Sequence, residues 1–354
     1  MAVPVADTLL VRHVIAALVV AAAVAAGGTD AARPPQISFA GYASGLVGAP
    51  AGVYVVRADG RGLRKVVDAA PGTDPPAWAP DGRSLVVPTP GGLALLDVNG
   101  HPVRALTTSA ADRVPAWSPD GRWIAFLRRS ASRSSLLAVR RDGSGLRQLT
   151  HALRRITSFA WAPDSRRLLV EWTYAGEPRI GVVTASGRLR LLRLGGLCVS
   201  DPTWSPDGRA IAFAGGCRGS RIGVEALASG HIRWLTRADR LYWDGDPSWS
   251  PDGRRIAFAR VWNQGEAGTP SVLMTVRPDG THLTALGRLG ALSQFDEAPQ
   301  WSPDGRYLLF DRDAAIEPIG EYVALVVMNV KTLDERTLYA PIQRRTEVWL
   351  PANG

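Results

Sequence analysis

The chain has 354 residues, 46% apolar and 21% charged, with 37 Gly and 26 Pro; this packed, turn-rich composition excludes collagen, coiled coil and a disordered chain. Its 41 basic residues outnumber 32 acidic ones for a net charge of +9, and Lys65 and Lys331 are the only lysines. Two cysteines and five scattered histidines exclude a multi-ligand Cys/His metal cluster and a dense disulfide framework. Neither metal nor cofactor is expected.

Residues 14–26 form an unbroken apolar run behind Arg12, with Ala-Val-Ala at 23–25. A spanning helix needs about 20 apolar residues, so this shorter run has the layout of a secretory signal. The expected organisation is a signal at 1–26, a short linker at 27–36 and a single domain at 37–354, with an uncleaved N-terminal anchor as the alternative. No later segment reaches spanning length, so the mature chain is expected to be exported to the periplasm, envelope or medium without a transmembrane span.

The strongest internal signal is a repeat. It stands as Trp78-Ala-Pro-Asp81-Gly82, Trp117-Ser-Pro-Asp120-Gly121, Trp161-Ala-Pro-Asp164-Ser165, Trp204-Ser-Pro-Asp207-Gly208, Trp249-Ser-Pro-Asp252-Gly253 and Trp301-Ser-Pro-Asp304-Gly305. The Trp-to-Trp spacings of 39, 44, 43, 45 and 52 match one four-stranded propeller blade. In each copy Trp ends a strand and Pro-Asp-Gly makes a tight turn, Pro presetting φ and Gly accepting φ > 0. The runs that follow, such as Ile124-Ala125-Phe126 and Ile256-Ala257-Phe258, are continuously apolar, as a strand covered on both faces requires. A third strand, a second turn such as Asp142-Gly143, and a fourth strand complete the unit.

The predicted fold is therefore an all-β propeller of four-stranded blades. Residues 37–67 read as strands two to four of a blade lacking its first, and residues 348–354, around Trp349, are a degraded copy of the motif, 48 residues after Trp301. That pairing predicts seven blades closed by N- and C-terminal strands; six blades with an irregular N-terminal cap is the alternative. The tryptophans Trp78, Trp117, Trp161, Trp204, Trp249, Trp301 and Trp349 are then structural.

The phrase Pro202-Thr203-Trp204-Ser205-Pro206-Asp207-Gly208-Arg209-Ala210-Ile211-Ala212-Phe213 resembles the repeat of the TolB-like β-propellers, the WD40-like Pro-Asp repeats. The resemblance covers the whole mature chain. It implies a binding scaffold of the bacterial periplasm or envelope, and the same blades also occur as the propeller half of prolyl-oligopeptidase-type peptidases.

In such a blade the first-to-second and third-to-fourth turns share one face, and the second-to-third loops and blade links share the other. Length variation falls on the second face, at residues 260–270 and 311–321, both read as loops. The links before the motif tryptophans are acidic: Asp74, Asp112, Asp201, Asp244 with Asp246, and Asp296 with Glu297, with Tyr242, Trp243 and Trp262 as aromatic candidates. Such a channel mouth suits a cation, an amine or a basic peptide, unless each Asp caps a turn. On the opposite face Arg83, Arg122, Arg166, Arg209, Arg254 and Arg306 follow the turns, either as solvated residues or as a contact for anionic polymers.

Cys198 and Cys217 flank the fourth motif hairpin nearly in register, which predicts a disulfide in an exported protein, against two buried free thiols. No Gly-x-Ser-x-Gly elbow on an α/β domain fits between the repeats, and His101, His231 and His282 fall singly in turns. The expected function is an exported, monomeric, non-enzymatic binding or scaffold propeller presenting the acidic mouth to a protein or small ligand, without nucleic acid as partner. The alternatives are a carbohydrate- or peptide-active propeller enzyme with channel carboxylates, or the propeller partner of a separately encoded peptidase.

Overall fold

The computed structural model describes residues 36–41, 52–57, 59, 61–68, 74, 76–130, 133–150, 153, 155–194, 197–217, 219–262, 270–287, 294–316 and 320–339. The expected signal, the linker up to residue 35 and Trp349 lie outside them. Among the described residues every regular element is a strand, and no helix is long and apolar enough to cross a membrane.

The strands form seven antiparallel sheets. Blade 1 holds Gln36–Gly41, Gly52–Arg57 and Arg64–Asp68. Blades 2 to 7 have four strands each and open with Ala77–Trp78, Asp112–Trp117, Ile156–Trp161, Ser200–Trp204, Tyr242–Trp249 and Gln294–Trp301. Blade 1 thus shows strands two to four, as the sequence predicts. The C-terminal phrase assigned as its first strand lies outside the described residues.

Seven apolar clusters fix the blade count, because each joins one blade to the next. Val55 packs with Trp78 and Leu85 across blades 1 and 2, and five further clusters repeat this between successive blades as far as 7. The seventh joins Tyr54 and Val56 of blade 1 to Leu309, Leu325 and Leu338 of blade 7, so the ring is closed by packing. Alternate residues of one strand serve opposite neighbours: Ile124 and Phe126 face blade 2, while Ala125 and Leu127 face blade 4. This explains the absence of polar alternation in those strands. Phe126, Phe213, Phe258 and Phe310 occupy equivalent, fully buried sites, each contributing about 2–3 kcal/mol of burial.

The motif stitches the inner strands together. The indole Nε1 of Trp117 donates to the Ala77 carbonyl, Trp161 to Ala116, Trp204 to Ala160 and Trp301 to Ser248, each at 3.1 Å. Every acceptor is the residue before the motif Trp of a neighbouring blade. In the turns the Asp carboxylate accepts from the N–H two residues on, as Asp207 does from Arg209 at 3.0 Å. Gly208 takes φ 67°, and Ser165 holds the same left-handed conformation at 57° without the freedom of glycine.

One expectation is corrected. Residues 311–321, read as a long loop, continue the ladder of blade 7: strands Tyr307–Ile316 and Gly320–Asn329 pair as far as Ile316↔Gly320. The extra length lengthens a hairpin because both segments keep extended, hydrogen-bonded backbone.

Candidate functional site

The first strand of each blade runs from the link face toward the motif turn. The innermost strands of blades 3, 5, 6 and 7 each contain a bulge three residues before the Trp, where Val114, Asp201, Asp246 and Ala298 adopt φ 50°, 52°, 52° and 51°. Positive φ at non-glycine residues is strained backbone, repeated here at one position around the channel.

Two residues earlier lies a second repeated feature. Asp112 and Arg128, Asp244 and Arg260, and Asp296 and Arg312 are directly opposed on the first and second strands. Each pair is bidentate, with Nε to Oδ1 at 2.6–2.7 Å and a terminal nitrogen to Oδ2 at 2.9 Å. Blade 4 places Ile156 opposite Trp172 at this rung. In blade 5 Cys198 and Cys217 are joined by a disulfide beside it, with Cα atoms 5.1 Å apart. One ladder position thus holds an ion pair in blades 3, 6 and 7 and an apolar pair in blade 4. Asp112, Asp244 and Asp296 are buried within the blades in these pairs. The Asp296 carboxylate first, then Glu335, hold Arg312 firmly charged against the opposing effect of burial.

The remaining acids fall into two groups. Asp74 lies 3.9 Å from Arg113. In the other group Asp201, Asp246 and Glu297, from blades 5, 6 and 7, gather with Asp311, which stands opposite Glu297 on the second strand of blade 7. The half-buried Asp246 carboxyl is pushed well above the ordinary carboxylate range, first by burial, then by Asp201 and Glu297, with Asp311 adding to the rise. The Ala298 N–H, donating at 3.4 Å, is a weak counterweight.

The first two strands of blade 6 and the first strand of blade 7 also carry aromatic side chains. Tyr242 and Trp262 meet edge-to-face at 5.2 Å, with the Arg260 guanidinium 4.1 Å over Tyr242, and Trp243 tilts against Phe295 at 6.2 Å. Sequence reasoning missed Phe295 and Asp311. Counting the blade 7 hairpin register outward from its motif turn would have found Asp311.

Elsewhere, the ring of Arg83, Arg122, Arg166, Arg209, Arg254 and Arg306 lies on the turn face and is exposed. A cavity of about 710 Å³ on that face is lined by Asp252, Arg254, Arg255, Arg277, Pro278 and Asp279, remote from the acidic mouth. Among the described residues no three His, Cys, Asp or Glu side chains are placed to hold a metal ion.

A family model described as the TolB beta propeller domain matches residues 114–293 and again 155–349. The chain belongs to that family. No curated protein matches it. Among solved structures, a putative TolB from Agrobacterium tumefaciens shares the TolB-type fold at TM-score 0.52 and 21% identity, over 71% of this chain and 94% of that one. A puromycin-hydrolyzing peptidase from Mycobacterium tuberculosis aligns at TM-score 0.67 and 17% identity, over 94% of this chain and 56% of its own length. An oligogalacturonate lyase in complex with manganese aligns at TM-score 0.58 and 15% identity, over 73% and 74% of the two chains. At these identities the likeness is one of fold.

Proposed function

We propose that this TolB-family propeller is an exported, monomeric, non-enzymatic binding protein whose acidic half-mouth over blades 5 to 7 receives a cationic group from a protein or small ligand. The observation that carries the reading is the position of Asp246 among Asp201, Glu297 and Asp311, beside Trp243 and Phe295. An amine or guanidinium entering there relieves carboxylate repulsion and gains aromatic contact. Export, with a signal at 1–26, a linker at 27–36 and a propeller at 37–354, is consistent with the Cys198–Cys217 disulfide and with the family.

The raised Asp246 carboxyl next to Glu297 also favours a second reading, since a general acid requires a carboxyl protonated near neutrality. In that reading the chain is a carbohydrate- or peptide-active propeller enzyme, or acts with a separately encoded peptidase.

A thermal-shift screen against divalent cations, sugars, and basic and acidic peptides distinguishes these, run beside an Asp201→Asn/Asp246→Asn/Glu297→Gln variant. Asp244 and Asp296 are left intact because their loss would break the blade ion pairs. Binding to the native state alone raises the melting temperature, so basic peptides should raise it in the parent chain and not in the variant. Equal shifts with acidic peptides, or none in any condition, would sink the binding reading. Turnover abolished by Asp246→Asn would replace it with the enzymatic one.

A further inference from the structure

We propose that the face carrying the motif turns docks on an anionic membrane surface, leaving the acidic mouth on the opposite face open. The proposal is independent of any ligand at that mouth.

It begins with where the apolar surface lies. Nine large apolar side chains are exposed among the described residues. Seven of them, Leu63, Val103, Leu146, Leu189, Leu191, Leu283 and Leu333, fall at one corner of the blade, where the third-to-fourth turn enters the outermost strand. Six of the seven blades contribute, and blade 5 places the half-buried Ile232 there. Single exposed leucines are ordinary. The same corner exposed blade after blade forms a ring around one face, because the blades are related by rotation about the channel. The ring also has no core role, since all seven are 40–58% exposed.

Charge identifies the occupant. Five of these aliphatic positions are followed directly by an arginine: Arg64, Arg104, Arg147, Arg190 and Arg233. Arg64, Arg104 and Arg190 bond to carbonyls of the next blade, Val98, Asp142 and Leu227, so their charge is held at the rim. The corners carry a basic excess. Blade 1 has Arg57, Arg61 and Arg64 against Asp59; blade 3 has Arg140, Arg141 and Arg147 against Asp142; blade 4 has Arg188 and Arg190 against no acid. Two of these guanidiniums, Arg140 and Arg147, stack on Trp123 at 5.2 and 3.9 Å. Inside the ring the motif turns add exposed arginines.

Separate aliphatic points spread around a whole face suit a planar, fluid interface better than a protein partner, which needs a contiguous packed patch. Shallow insertion of aliphatic side chains combined with arginine attraction to anionic headgroups is the recognition chemistry of a peripheral membrane protein.

The test is co-sedimentation of the full chain with vesicles of phosphatidylcholine and phosphatidylglycerol in equal parts, and with phosphatidylcholine alone. The apolar N-terminal run is common to all variants, so differences among them report on the ring. Binding to the mixed vesicles should exceed that to pure phosphatidylcholine. It should weaken as salt rises from about 0.1 M to about 1 M, which shortens the screening length from about 10 to about 3 Å. The combined variant Leu63→Gln/Val103→Gln/Leu146→Gln/Leu283→Gln should bind mixed vesicles at least about tenfold more weakly. The opposite-face control Tyr174→Gln/Leu241→Gln should stay within about twofold of the parent. If the apolar variant does not keep the parent's melting temperature, Arg61→Gln/Arg188→Gln removes charge from exposed side chains and should weaken binding about fivefold or more. Ring and charge variants that bind like the parent, or a control that loses as much as the ring variant, overturn the proposal. So does a parent dimer in sedimentation equilibrium that dissociates in the ring variant while no vesicle binding is seen, because the face is then covered by a second copy.

Discussion

The Arg260 guanidinium grips both oxygens of the Asp244 carboxylate, donating at 2.7 and 2.9 Å, with the Asp side chain 0% and the Arg side chain 9% exposed. The pair spans the first two strands of blade 6 and carries Tyr242 on its outer side. Breaking one partner leaves a buried charge, so Arg260→Ala should destabilise by about 3–5 kcal/mol. Blade 4 fills the same rung with Ile156 and Trp172. Asp244→Ile/Arg260→Trp should therefore lose less than the sum of its single changes in a urea-denaturation double-mutant cycle. Additivity in that cycle would remove the inference that the rung accepts either chemistry.

The Asp246 carboxyl, raised from an ordinary value of 3.8 by burial and by Asp201 and Glu297, makes stability depend on pH in a definite direction. Between the unfolded and folded pKa the native state binds the extra proton. Stability is therefore highest at the acid end of that window and falls as pH rises through the folded pKa. Asp246→Asn should raise the melting temperature at neutral pH and should change it little near pH 4. A variant equally stabilising at both pH values would mean that carboxylate repulsion is not the cause.

The indole of Trp117 donates to the carbonyl of Ala77 at 3.1 Å, while the buried Nε1 of Trp78 has no hydrogen-bond partner among the described residues. Trp117→Phe should accordingly cost about 1 kcal/mol through the loss of this bond, read by urea denaturation. By the motif pattern the acceptor for Trp78 would be Val348, the residue before Trp349. If residues 348–354 close blade 1, deleting them should lower the melting temperature by several degrees. Unchanged melting would favour the alternative in which that segment takes no part in the ring.

The Cys198–Cys217 bond closes a separation of 19 residues beside the blade 5 bulge. Cys198→Ser/Cys217→Ser should cost about 2–4 kcal/mol, and reduction of the parent chain should reproduce the loss in melting experiments. No difference between oxidised and reduced protein would show that the blade is held by packing alone.

The blades were legible in the sequence because each repeats a local device. Pro and Gly set a turn, Trp ends the inner strand, and a continuously apolar second strand announces cover on both faces. Cys198 and Cys217 were legible for the same reason, since hairpin register is a matter of counting. Tertiary structure alone decided what the acidic residues do. Asp112, Asp244, Asp246 and Asp296 look alike in the links, yet three of them meet an arginine sixteen residues away across a strand pair, at a rung where Ile156 meets Trp172. Asp246 meets Asp201 and Glu297 from other blades. Which charge faces which depends on the bulge three residues before the Trp in blades 3, 5, 6 and 7 and on the closing of seven blades around one axis. No single repeat encodes either the bulge's neighbours or the ring, so a carboxylate's partner emerges only when distant blades are brought side by side.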